Sequence, residues 1–154
     1  MLILSRQKLP LFNRQQMADP SLLERGAYIF SREQSKTPEL ILIASGSELQ
    51  LVQAAQARLY TDHNIDARVV SMPSWELFRR QDKDYRNDVL PARLKARVAV
   101  EAGSSFGWCE WVGDSGAVLG IDRFGASAPG DENFHHFGFD VKNIVAMARQ
   151  QVNR

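Results

Sequence analysis

Hydrophobic residues in this chain gather into short runs, and between the runs they return at intervals of three and four. The runs are 27–31 (AYIFS), 40–45 (LILIAS), 67–72 (ARVVSM), 96–102 (ARVAVEA) and 117–122 (AVLGID). Their length and their β-branched content predict strands. LILIAS is apolar up to its last position, as expected of a strand covered on both faces, so it is expected at the centre of a sheet. Pro73 stops the third run, because proline cannot donate to a ladder.

After 40–45, Gly46 makes a turn and Ser47 stands where a helix N-cap would. Leu49, Val52, Ala55, Ala57 and Leu59 then trace an apolar stripe at helical spacing through to His63. A polar helical region carrying YRNDVLP precedes the fourth run, and GWCEWVG precedes the fifth. The closing segment 141–152 (VKNIVAMARQQV) is an amphipathic helix with Asp140 as its N-cap. This alternation predicts a mostly parallel sheet with helices on both faces. At the start, the apolar stretch Leu2 to Leu4, with Arg6 and Pro10 behind it, reads as the end of a buried strand. Residues 11–26 (LFNRQQMADPSLLERG) follow neither period and read as a connecting stretch containing a domain boundary.

Length and composition narrow the picture. A chain of 154 residues can build one sizeable core. Charges are mixed in sign and the formal net charge is +1, so no global field draws in nucleic acid or an anionic membrane. The single cysteine, Cys109, excludes an internal disulfide and suits a reducing compartment such as the cytosol. No segment approaches the roughly 18 apolar residues that span a bilayer, and a soluble protein is expected.

Few residues suggest chemistry. The turn SGSE (45–48) opens a helix behind a buried strand, a place where unpaired amides and the helix dipole favour anions, yet it is neither GxGxxG nor a P-loop. A plain helix start explains it better. GDSG (113–116) and GASAP (125–129) lack the flanks of serine-nucleophile motifs and read as loops. Cys109, between Trp108 and Glu110 with no histidine nearby in sequence, is expected to be a packed, inert thiol. In DENFHH (131–136), Asp131 with His135 and Glu132 with His136 stand four apart, as metal ligands or as ordinary surface pairs, and no third ligand is apparent. Trp75, Trp108 and Trp111 are expected in the core or an interface.

Eight blocks in order are more specific than any of these motifs. SRQKLP (5–10), RGAYIF (25–30), ELILIASGSE (39–48), ARVVSMPS (67–74), RVAVEAG (97–103), GWCEWVG (107–113), GIDRFGASAP (120–129) and FGFDVKNIV (137–145) together resemble the C-terminal region of the transketolase family. The resemblance implies an α/β fold, a three-layer α/β/α sandwich on a five-stranded mixed sheet whose first strand is antiparallel. It divides the chain into 1–10, the tail of a preceding pyrimidine-binding domain, 11–26, a linker, and 27–154, the C-terminal domain. The chain is therefore expected to be a piece of a larger enzyme. Departures from the family pattern are Ser45 for a threonine, Asn133 for a leucine and Asp140 for a threonine.

The family's activity is two-carbon ketol transfer between sugar phosphates in the pentose phosphate pathway. Its cofactor is thiamine diphosphate with a divalent cation, magnesium or calcium, held at a homodimer interface. The GDG-containing motif that holds the diphosphate and metal, and the glutamate that activates the aminopyrimidine, belong to the family's first and middle domains and are not found in this sequence. The resemblance thus implies a non-catalytic domain whose partners are the N-terminal and middle domains. One substrate-binding position matches: Arg6 resembles the arginine that binds the sugar's terminal phosphate, a task suited to a permanently charged, forked donor. Beside assembly, an alternative is a small-anion module at the carboxyl ends of the strands. The candidate rim is Ser45, Gly46, Ser47, Met72, Ser74, Glu101, Gly103 and Ser104, and Glu101 weighs against an anion there.

Overall fold

The computed structural model describes residues 7–13, 15 and 17–153. Five strands form one sheet: β1 (Tyr28–Ser31), β2 (Leu40–Ala44), β3 (Ala67–Ser71), β4 (Arg97–Val100) and β5 (Ala117–Leu119). Their order is β1-β3-β2-β4-β5. β1 lies antiparallel on β3, while β2 pairs parallel with β3 and β4, and β4 pairs parallel with β5. The mixed sheet with its first strand antiparallel is as expected, with β2 to β5 each ending a little earlier than its hydrophobic run.

β2 is central because every one of its residues is fully buried, and the period of two divides them between two cores. Leu40, Leu42 and Ala44 face one layer, with Val69, Val98 and Val100. That layer holds Val52, Ala55 and Leu59 of α1 (Leu49–His63) and Ile144, Val145 and Ala148 of α6 (Val141–Val152). Ile41 and Ile43 face the other layer, with Val70 and Ala99. Here pack Phe78 of α2 (Trp75–Arg79), Val89 of α3 (Lys83–Val89) and Trp111 and Val112 of α4 (Cys109–Val112). The three-layer sandwich is therefore present. A further helix, α5 (Gly130–His136), precedes α6, which Asp140 caps by accepting from Asn143 N at 2.8 Å.

Two details depart from the periodic reading. Ala57 is exposed; the position beside it, Gln56, turns inward and its amide donates to Ala67 O at 2.8 Å and Arg32 O at 3.1 Å. α2 was not evident from periodicity, being a single turn. Its start is marked by Ser74, whose hydroxyl accepts from Leu77 N at 3.3 Å.

The stretch 11–26 carries a short 3-10 helix (Pro20–Arg25) capped by Asp19. Phe12 meets Phe30 edge-on at 4.8 Å. Gly26 ends the 3-10 helix at φ 83°, a left-handed conformation that suits glycine. No helix among the described residues is long and apolar enough to cross a membrane.

Candidate functional site

β2 and β4 lie side by side, and the chain leaves their carboxyl ends toward opposite faces: β2 leads to α1 in one layer, β4 to α4 in the other. Such a switch point is where open α/β sheets hold ligands. In this protein the crevice is stitched by its own side chains. Ser45 Oγ donates to Glu101 Oε2 at 2.6 Å, joining the end of β2 to the end of β4. Glu48 Oε1 accepts from Ala102 N at 3.2 Å and from Ser47 Oγ at 3.1 Å.

Ser47 therefore does not cap α1, contrary to the sequence reading. Glu48 already has helical backbone angles and Leu49 N bonds Gly46 O at 3.0 Å, so the backbone closes the turn while the Ser47 hydroxyl turns to Glu48. Glu48 is only 3% exposed. Burial pushes the Glu101 carboxyl above its ordinary range and the Glu48 charge adds to this, opposed by the Ser45 hydroxyl.

The other rim candidates divide. Ser74 is engaged as the cap of α2. Met72 is fully buried in the core of the α2–α4 layer and does not line a rim, a correction that follows from its alternation with Ser71. Gly103 O accepts from Ile121 N at 2.7 Å. Ser104 Oγ donates to Asp122 Oδ1 at 3.2 Å and accepts from Phe106 N, also at 3.2 Å. Arg6 lies outside the described residues.

Sequence reasoning passed over Asp122, which organises a second cluster beyond β4 and β5. It accepts from Ser105 N, Ser105 Oγ and Ser104 Oγ, and the Ser105 hydroxyl bond first, then the amide, hold its carboxyl below the ordinary range. The loops it joins carry Phe106, 88% exposed, and Phe124, 96% exposed. The available signal was SSF and DRF, each beginning shortly past a parallel strand run.

The remaining candidates resolve plainly. Among the described residues no group of three or more His, Cys, Asp or Glu is arranged to hold a metal ion, so Asp131, Glu132, His135 and His136 stand as surface residues of α5. GDSG is the turn between α4 and β5, with Gly113 at φ 74°. Trp108 and Trp111 are core residues, and Trp75 meets Trp108 edge-on at 5.1 Å. Cys109 is exposed, against the expectation of a packed thiol: it opens α4, whose buried face is taken by Trp111 and Val112. Asn133 donates to Ala126 O at 3.0 Å and Ala128 O at 3.1 Å, closing the GASAP loop onto α5.

Comparison with known proteins gives a consistent result. Residues 26–140 match the family described as Transketolase-like TK C-terminal domain. The chain is 48% identical over 153 residues to a transketolase of Bacillus subtilis, covering 99% of this chain and 23% of that protein. It is 47% identical over 151 residues to transketolase 1 of Escherichia coli, covering 97% of this chain and 22% of that one. A solved transketolase from Pichia stipitis, in complex with sedoheptulose 7-phosphate, superposes with a TM-score of 0.84 at 30% identity, over 96% of this chain and 20% of that chain. The chain thus spans about a fifth of the length of the relatives it matches.

Proposed function

The chain belongs to the transketolase family, matching its C-terminal domain, and on that premise we propose that it serves assembly, not chemistry, in a thiamine-diphosphate-dependent transketolase. In that reading the whole enzyme moves a two-carbon ketol unit between sugar phosphates as a homodimer in the cytosol. The N-terminal and middle domains are this chain's partners, and Arg6 holds the substrate's terminal phosphate. The cofactor would supply a stabilised carbanion equivalent when bound. The described residues do not fit it: the crevice at the switch point presents Glu48 and Glu101, which would repel a diphosphate, and no metal-binding cluster stands among the described residues.

The observation that carries the assembly reading is the exposure of Phe106 and Phe124 on loops joined by Asp122. A phenylalanine held in solvent on a tied loop loses little freedom on docking, so burying it against a partner is favourable. Two measurements test the reading. The chain alone, with thiamine diphosphate, magnesium, xylulose 5-phosphate and ribose 5-phosphate, should show no ketol transfer in a coupled assay; turnover that copurifies with it would overturn the proposal. Mixed with a polypeptide carrying the preceding domains, it should bind. Phe106→Ser with Phe124→Ser should abolish that binding while leaving this chain's own melting unchanged. Undiminished binding by the double variant would remove the docking face.

A further inference from the structure

On the α2–α4 layer, α3, the loop 90–96, the start of β4 and α4 border an open groove of about 630 Å³. That volume falls within the range of small-molecule sites. Four cationic side chains line it, Lys83, Arg86, Lys95 and Arg97, against two carboxylates, Asp84 and Glu110. Glu110 is occupied, since Arg79 Nε and Nη2 bind its two oxygens at 2.8 and 2.5 Å. The groove therefore keeps an excess of positive charge.

The cations of the groove are held differently from one another. Arg97 spends its guanidinium on backbone carbonyls, donating to Trp111 O at 2.6 Å, Pro91 O at 2.8 Å and Leu94 O at 3.0 Å, with no carboxylate among its partners. Burial accordingly pushes it below the usual arginine range. Among the described residues, Lys83, Arg86 and Lys95 make no side-chain hydrogen bond or ion pair. Arg86 Nε and Trp111 Nε1 are both buried without an acceptor, and Trp111 itself is only 6% exposed. Buried donors nearly always find a partner, so these two stand out; the atoms themselves are covered, and both belong to side chains that line the groove. The aromatic and aliphatic side chains of Phe78, Trp111 and Leu90 supply an apolar wall beside the charges.

We propose that this groove between α3 and α4 is a binding site for a small organic anion, its oxyanion group met by Arg86 and Lys95 and its apolar body lying against Trp111. The inference does not depend on the assembly reading, because it concerns a different face and different residues.

The test is an NMR titration of this chain with phenyl phosphate, following the Trp111 indole N–H and the Arg86 side-chain N–H. Inorganic phosphate and phenol serve as separate arms. A saturable shift of both signals with a Kd of about 1 mM or tighter is expected, with each separate arm weaker by about tenfold or more. Arg86→Gln and Lys95→Gln should each weaken binding by about tenfold, roughly one charge-assisted contact. Amide spectra of the variants report the fold. Lys95 is exposed and makes no side-chain bond among the described residues, so Lys95→Gln decides the matter even if Arg86→Gln fails to fold. Shifts that stay linear to about 10 mM, or an affinity unchanged in Lys95→Gln, would overturn the site. Binding of phenol or of inorganic phosphate as tight as phenyl phosphate would overturn the organic-anion assignment.

Discussion

Ser105 and Asp122 are joined twice: the Ser105 amide donates to Asp122 Oδ1 at 2.9 Å and its hydroxyl to Oδ2 at 2.6 Å. These bonds fix the loop after β4 to the loop after β5 and set the attitude of Phe106. Asp122→Ala should speed hydrogen exchange at the Ser105 and Phe106 amides. It should leave the melting temperature within about 2 °C, because the tie is on the surface. The carboxyl is held below its ordinary value, so the tie is complete above the usual aspartate range and should loosen as pH falls through the lowered value. Unchanged exchange at both amides in the variant would count against this account.

A buried ion pair closes the opposite end of the sheet. Arg68, in β3, meets Glu33 at 2.5 and 2.8 Å and also donates to Asp88 O, with side chains only 6% and 5% exposed. Burial alone would raise the Glu33 carboxyl, but the hydrogen bonds and charge of Arg68 outweigh it and hold it low. Arg68→Met should cost about 3–5 kcal/mol by stranding the carboxylate, and adding Glu33→Leu should recover most of that. The pair's contribution is present above the ordinary glutamate range and lost as pH falls through the lowered value, so the acid branch of the urea-midpoint profile should flatten in the double variant. Equal losses in single and double variants would contradict it.

Glu101 should behave oppositely. Its folded-state value is raised, so the native state holds the proton more tightly than the unfolded chain. Its contribution is fully present below the ordinary glutamate range and fades as pH rises through the raised value. Glu101→Gln should therefore gain stability relative to the natural chain as pH rises, with the difference vanishing at acid pH. Urea titrations from acid to mildly alkaline pH measure this.

Gly26→Ala should destabilise the fold by more than about 1 kcal/mol. The residue has φ 83°, and a Cβ would stand 2.4 Å from both Phe78 N and Ser74 O, backbone atoms that cannot swing aside. Calorimetry should show melting lowered by several degrees.

Millimolar phosphate should leave the amides of residues 46–48 unmoved. The crevice they border is crossed by Ser45–Glu101 and Glu48–Ala102 bonds, and an anion entering would face both carboxylates. A saturable shift at those amides would restore the anion reading of the switch point.

The sequence by itself determined the sheet and both its faces. Unbroken runs such as LILIAS are affordable only where helices cover each side, and Val52, Ala55 and Leu59 return on one helical face to supply a cover. Short elements were less legible: α2 spans five residues, too few for a periodic signal, and only Ser74 marks it. The site was decided by tertiary structure. Ser45 and Glu101 stand 56 positions apart, and nothing local shows that parallel pairing of β2 with β4 brings them within 2.6 Å. The same pairing turns an apparent anion turn into a stitched, acidic crevice. Arg86 and Trp111 likewise meet across one groove only because α3 and α4 pack on the same face of the sheet. Periodicity reports which face of an element is buried; which distant side chains then share a dielectric and a hydrogen bond depends on strand order, a property of the whole chain.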